Sequence, residues 1–145
     1  MRIIQVDDNY ESGGASIVMR GLGEELTRRG HEIYFATGRD SGVRGVYRIH
    51  HLTGLLSYIA RRLFFFNADP ISQRRFAQIV RKIRPDLIHC HNLASYISLE
   101  IVKVSLENNV PCVVTVHDFW PVCINRTLLK GSLRKPRYID FCKET

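Results

Sequence analysis

Short apolar runs alternate with longer amphipathic stretches along this chain, and that order constrains the fold more than any other feature. The runs are RIIQVD (2–7), HEIYFAT (31–37), VYRIHHL (46–52), DLIHCH (86–91) and PCVVTVH (111–117). They are nearly continuous in Val, Ile and Leu, the pattern of strands buried on both faces of a parallel sheet. Between them, residues 16–29, 54–66, 70–84 and 94–109 carry helical spacing. The alternation predicts an α/β, Rossmann-like fold: a doubly wound, mainly parallel β-sheet with helices on both faces. A chain of 145 residues, 45% hydrophobic, is long enough for one such domain. Residues 1–145 are expected to form it, with 126–145 as a basic tail of undefined structure.

Local signals set the element ends. In the first helix Val18, Leu22 and Leu26 are expected on the buried face with Met19 beside them, and Glu24 and Arg28 are spaced for an ion pair. Gly30 is a natural stop after Arg28-Arg29. Gly21 and Gly23 cost this helix up to about 1 kcal/mol each, which points to close packing against the sheet. Pro70 suits an early helical position, Pro85 closes that helix, and Asn108-Asn109 stop the next.

In open parallel sheets, ligands bind beyond the carboxyl ends of the strands. The polar residues there are Asp7-Asp8 with Gly13-Gly14, Thr37, His89-His91-Asn92 and His117-Asp118. The first loop, Asp8 to Ala15, is too long for the tight dinucleotide turn and lacks its third glycine. An NAD(P)-binding domain is therefore the disfavoured alternative. The glycine pair still offers backbone N–H groups to an anion at the positive end of a helix, so the loop reads as a phosphate contact rather than a whole nucleotide cradle.

The net charge of +7 is uneven: residues 53–84 carry +6 and residues 126–145 carry +4, leaving −3 elsewhere. Basic regions on a mildly acidic body suit an anionic partner such as phosphate or a lipid surface, or simply a solvated face. No aromatic-interleaved basic platform is present, so nucleic acid is not expected. Within 54–66 the residues Leu55, Leu56, Ile59, Leu63 and Phe66 recur at helical spacing beside Arg61-Arg62, with Phe64 and Phe65 extending the apolar surface. Such a helix lies on an anionic membrane interface or packs its phenylalanines inward. With no 18-residue apolar run and no signal-peptide pattern, a cytoplasmic location is expected, with peripheral contact at the inner face of the membrane as an option. Cys90, Cys112, Cys123 and Cys142 form no C-x-x-C pair, and reduced thiols are expected. His89 and His91 point to one strand face and Cys90 to the other. A His-x-His pair needs further metal ligands and none is clearly placed.

Three stretches together, GGASIVMRGLGEELTRRGHEIYFAT (13–37), RPDLIHCHN (84–92) and VPCVVTVHDFWPVCINRTLL (110–129), closely resemble the N-terminal domain of GT-B fold glycosyltransferases of family 4. The resemblance covers nearly all of residues 1–130. The chain departs from the family at position 16, where Ser16 follows Ala15 and the family often has Glu.

The resemblance implies one half of a GT-B fold. It implies a transferase that moves a sugar from a nucleotide-sugar to a carbohydrate or lipid-linked acceptor, with retention, and that is inactive without a C-terminal donor-binding domain or a partner chain. A non-catalytic partner subunit of a split glycosyltransferase is the further alternative. Gly13 and Gly14 are implied to lie under the donor diphosphate, and His117 to bind the transferred sugar and support charge at the reacting centre. His91 and Asn92 are implied to line the acceptor cleft. Asp118 either orients His117 or caps the next turn. Phe119 and Trp120 are read as packing. No metal and no cofactor are expected, the Asp-x-Asp motif being absent.

Overall fold

β1 (Arg2–Asp7) lies at the centre of a five-stranded sheet because its run from Ile3 to Asp7 is buried on both faces. The computed structural model describes residues 1–39, 41–49, 70–93, 97, 100–119, 129–130 and 137–138. The chain divides into two compact units, Met1–Thr115 and Val116–Thr145. The first unit contains β1, α1 (Gly14–Arg28), β2 (Glu32–Thr37), β3 (Val46–Arg48), α2 (Pro70–Ile83), β4 (Leu87–Cys90), α3 (Ile101–Glu107) and β5 (Cys112–Val114). All its strand pairings are parallel, in the order β3-β2-β1-β4-β5. This is the expected Rossmann-like α/β fold. The order reverses between β1 and β4, which makes their carboxyl ends the topological switch point.

The helices divide between the faces. α1 covers the face of Gln5, Asp7 and Phe35, where Gly23 approaches Phe35 so closely that an added Cβ would stand 2.6 Å from the ring. α2 and α3 pack on each other and on the opposite face, with Lys82 above the Tyr47 ring. α2 buries Phe76, Ile79, Val80 and Ile83 at helical spacing. A buried side chain of that size contributes roughly 1.5–3 kcal/mol. Arg84 (φ 51°) and Asn109 (φ 54°) turn the chain after α2 and α3 in the left-handed region. α1 ends as expected at Gly30, with His31 N–H donating to the Leu26 carbonyl and Gly30 N–H to that of Thr27.

Several expectations are corrected. The buried face of α1 is Ser16, Met19 and Gly23, while Val18 is 49% exposed. The close approach of Gly23 to Phe35 sets the helix phase and turns Val18 outward. Gly21 has nothing within 4 Å of an added Cβ among the described residues, so the expected close packing is not seen there. Arg28 pairs with Glu25, at 3.0 Å. The helix expected over 94–109 is described from Ile101 to Glu107, and Ile97 is not helical. In the second unit, β6 (Leu129–Lys130) and β7 (Arg137–Tyr138) pair antiparallel, inside what the sequence left as a basic tail. The helix expected over 54–66 lies outside the described residues, as does Trp120. Among the described residues, no helix is long and apolar enough to cross a membrane.

Candidate functional site

Three strand-end loops meet at the switch point, and Asp8 ties them together. Its N–H donates to the Asn92 carbonyl (3.1 Å), its carbonyl accepts from Arg39 N–H (3.0 Å), and its carboxylate accepts from Ile97 N–H (2.8 Å). Asp8 is only 2% exposed, so these bonds form away from water and hold the loops after β1, β2 and β4 in register. Gly38 N–H adds a bond to the Asp7 carbonyl (3.1 Å).

From this brace the chain rises to Gly13. Gly13 has φ 105° and ψ 153°, a conformation essentially confined to glycine, and it delivers the chain straight into α1. Gly13 and Gly14 are both exposed, and a Cβ on Gly14 would meet nothing within 4 Å. Among the described residues no side chain caps this helix start, and no acidic residue sits in its first turn. The end of α1 therefore presents backbone N–H groups and the positive end of the helix dipole to whatever approaches the glycines.

Ser16 faces inward. Its hydroxyl stands 3.0 Å from the Asp7 carboxylate, 3.1 Å from the Asn9 carbonyl and 2.9 Å from the Ser12 carbonyl. A hydroxyl has one proton, so these three acceptors share it. Burial pushes the Asp7 carboxyl up from 3.8 to about 6, against the opposing bond from Ser16. Ser16 thus clasps the glycine loop to the end of β1.

Under the crevice runs a second polar line. Gln5 Oε1 lies 2.8 Å from His91 Nε2, the His91 and His89 rings lie 4.2 Å apart at a 35° tilt, and His89 Nε2 lies 2.8 Å from Thr115 Oγ1. His89 and His91 share a face, as their alternation predicts. His91 and Gln5 are fully buried, whereas Asn92 is half-buried at the loop surface. The Gln5 side-chain nitrogen is buried with no hydrogen-bond partner among the described residues. An open groove of about 410 Å³ flanks α1, lined in part by Tyr10, Arg20, Gly23, Thr27 and Phe35, with Arg20 already placed over Tyr10.

The structure thus brings together the ends of β1 and β4 with their loops: Asp7 and Asp8 by direct bonds, Asn92 through its backbone, and His91 from below. His117 and Asp118 belong to the second unit, where each is half-buried. Sequence reasoning missed Gln5 and Ser16. The signal for Gln5 was a polar residue interrupting RIIQVD directly across from His89 in the sheet. Among the described residues, no three His, Cys, Asp or Glu side chains gather to hold a metal ion.

No curated protein matches the chain at a significant level. Residues 12–144 match the sequence profile of Glycosyltransferase Family 4, a span that takes in the glycine loop, the β4 end and the segment after β5. The chain therefore belongs to glycosyltransferase family 4.

Proposed function

We propose that this chain is the N-terminal, acceptor-side half of a GT-B glycosyltransferase, which moves a sugar from a nucleotide-sugar donor to a carbohydrate or lipid-linked acceptor with retention. The observation that carries the reading is the start of α1: a glycine-only turn at Gly13, two exposed glycines and, among the described residues, no side-chain cap and no acid in the first turn. Backbone donors in that arrangement suit the diphosphate of a donor, where charge grows as the leaving group departs. Gly13 and Gly14 supply those donors. His117 contacts the transferred sugar and supports charge at the reacting centre. Asn92 lines the acceptor cleft, and His91, being buried, acts there by holding the cleft floor through Gln5 and His89.

Most of the donor is held by a second α/β domain, on the same polypeptide or a partner chain. Clamping between two lobes supplies the orientation and the exclusion of water that transfer needs. Residues 54–66 bring this half to an anionic membrane face on the cytoplasmic side. The donor needs no resident metal or cofactor in this scheme.

Titration of the isolated chain with uridine, guanosine and adenosine diphosphates, followed by amide chemical shifts, tests the reading. Weak binding by at least one nucleotide, with the largest shifts at Gly13 and Gly14, is expected, together with no sugar transfer by the chain alone. Shifts that spare both glycines, or robust transfer without any partner protein, would overturn it.

A further inference from the structure

The opposite face of the sheet carries a pair of thiols that the proposed transfer chemistry does not use. Cys90 on β4 is registered with Val114, and Cys112 on β5 with Ile88. The two cysteines are therefore diagonal neighbours on adjacent strands, and the two-residue period puts them on the same face. Their Sγ atoms are 3.9 Å apart. Cys90 is fully buried, while Cys112 is half-buried on a strand at the sheet edge. One sulfur is open to a small reagent, and the other waits behind it.

We propose that Cys112 and Cys90 form a peroxide-reactive pair that closes to a disulfide between β4 and β5. Cys112 is the sulfur oxidised first. The hydrogen bond from Cys90, with a second from Ser105 on α3, draws its pKa down to about 7 against the effect of burial. Cys90 is pushed the other way by the same hydrogen bond and by burial, so it holds the proton. A thiolate is the nucleophile in thiol oxidation, and an accessible thiolate beside a resolving thiol is the arrangement of redox-sensing cysteines.

The oxidant is a hydroperoxide. The Cys112 thiolate attacks its terminal oxygen, the O–O bond breaks, and an alcohol or water leaves after taking up a proton. Cys112 becomes a sulfenic acid. The Cys90 sulfur then attacks the Cys112 sulfur, the S–O bond breaks, and hydroxide departs with the Cys90 proton as water. Two thiols are oxidised by two electrons in total, and one peroxide is reduced. The sulfurs must approach to roughly 2.05 Å, which requires a shift of β5, the strand that among the described residues is paired on one side only. The product fastens an edge strand to the centre of the sheet.

The experiment uses the full chain carrying Cys123→Ser and Cys142→Ser, treated with hydrogen peroxide at neutral pH. Loss of the mass of two hydrogens is expected, with non-reducing peptide maps joining the Cys90 and Cys112 peptides. Oxidation of Cys112 should be on the order of tenfold faster than in the same chain unfolded in urea, following the thiolate fractions. Adding Cys90→Ser should leave a sulfenic acid at Cys112 that dimedone traps, with Cys90→Ala as a second variant; circular dichroism confirms that each variant is folded. The linkage itself is read with both cysteines intact, so it does not depend on either variant folding. A Cys112 that stays a free thiol, that passes to sulfinic acid with Cys90 still reduced, or that links no faster folded than unfolded would overturn the proposal.

Discussion

The two faces of the central sheet differ toward the carboxyl ends of β1 and β4, although neighbouring residues share one backbone. Ile4, Val6, Ile88 and Cys90 line the face under α2 and α3, all of them fully buried. One residue away in each case, Gln5, Asp7, His89 and His91 line the face under α1, and three of those four are equally buried. The first face holds the fold by excluding water from apolar surface, a non-directional interaction that tolerates change of shape. The second depends on directed hydrogen bonds, and a partner removed there leaves a stranded polar group. The polar face is also the one that α1 approaches with its glycine-built start. In this domain the apolar face supplies stability, and the polar face spends some of it on holding the strand ends in place.

The largest expected effect separates the faces directly. Ile4→Ala should lower stability by about 2–5 kcal/mol through lost burial and a residual cavity. Gln5→Leu should cost less, about 1–3 kcal/mol, because it removes the buried hydrogen bond between Gln5 Oε1 and His91 Nε2. Adding His91→Leu to Gln5→Leu should then restore part of that loss, since removing both partners spares the stranded group. Urea unfolding with an unchanged slope reads all three. A double variant no more stable than Gln5→Leu alone would show that the Gln5–His91 contact is not the source of the difference.

The same contrast explains what was legible in the sequence. The apolar runs gave away all five parallel strands, and Gly30, Pro85 and Asn108-Asn109 marked helix ends where the structure has them. These signals are local: a strand run or a stop residue acts through its own backbone. The phase of α1 was not legible, because it is set by Phe35 filling the space beside Gly23, a contact between residues 12 apart in the chain. The inward role of Ser16 and the pairing of Gln5 with His91 were hidden for the same reason. Cys90 and Cys112 looked unrelated, since only the register of β4 against β5 makes them neighbours. Candidate site positions could be read from where polar residues end apolar runs, but not which of them would be buried.

Asp7 extends the comparison to pH. Burial keeps its carboxyl protonated up to about pH 6 in the folded chain, while the unfolded chain ionises near 3.8. Between those values the folded state binds more protons than the unfolded state, so this group makes stability fall as pH rises and has its full destabilising effect above about pH 6. Asp7→Asn removes the titration. The variant should therefore gain on the parent as pH rises from about 4 to about 6, and the gap should then stay constant. Thermal unfolding at several pH values measures it. Parallel pH profiles for the two proteins would mean that Asp7 ionises in the crevice as freely as it does in water.

The smallest effect lies at the two glycines, where neighbours should answer oppositely. Gly13→Ala places a Cβ at φ 105° and should cost about 1–3 kcal/mol in strain. Gly14 has helical geometry and open space beside it, so Gly14→Ala should stabilise the chain by up to about 1 kcal/mol. That gain is informative because of what the open space is for. If a donor diphosphate sits against the Gly14 amide, the new methyl group occupies its place, and nucleoside diphosphate binding should weaken in a protein that is more stable. Stability and binding would then move in opposite directions on one substitution, which loss of fold cannot imitate. A Gly14→Ala chain that gains stability and binds nucleotide as the parent does would remove the phosphate from this helix start.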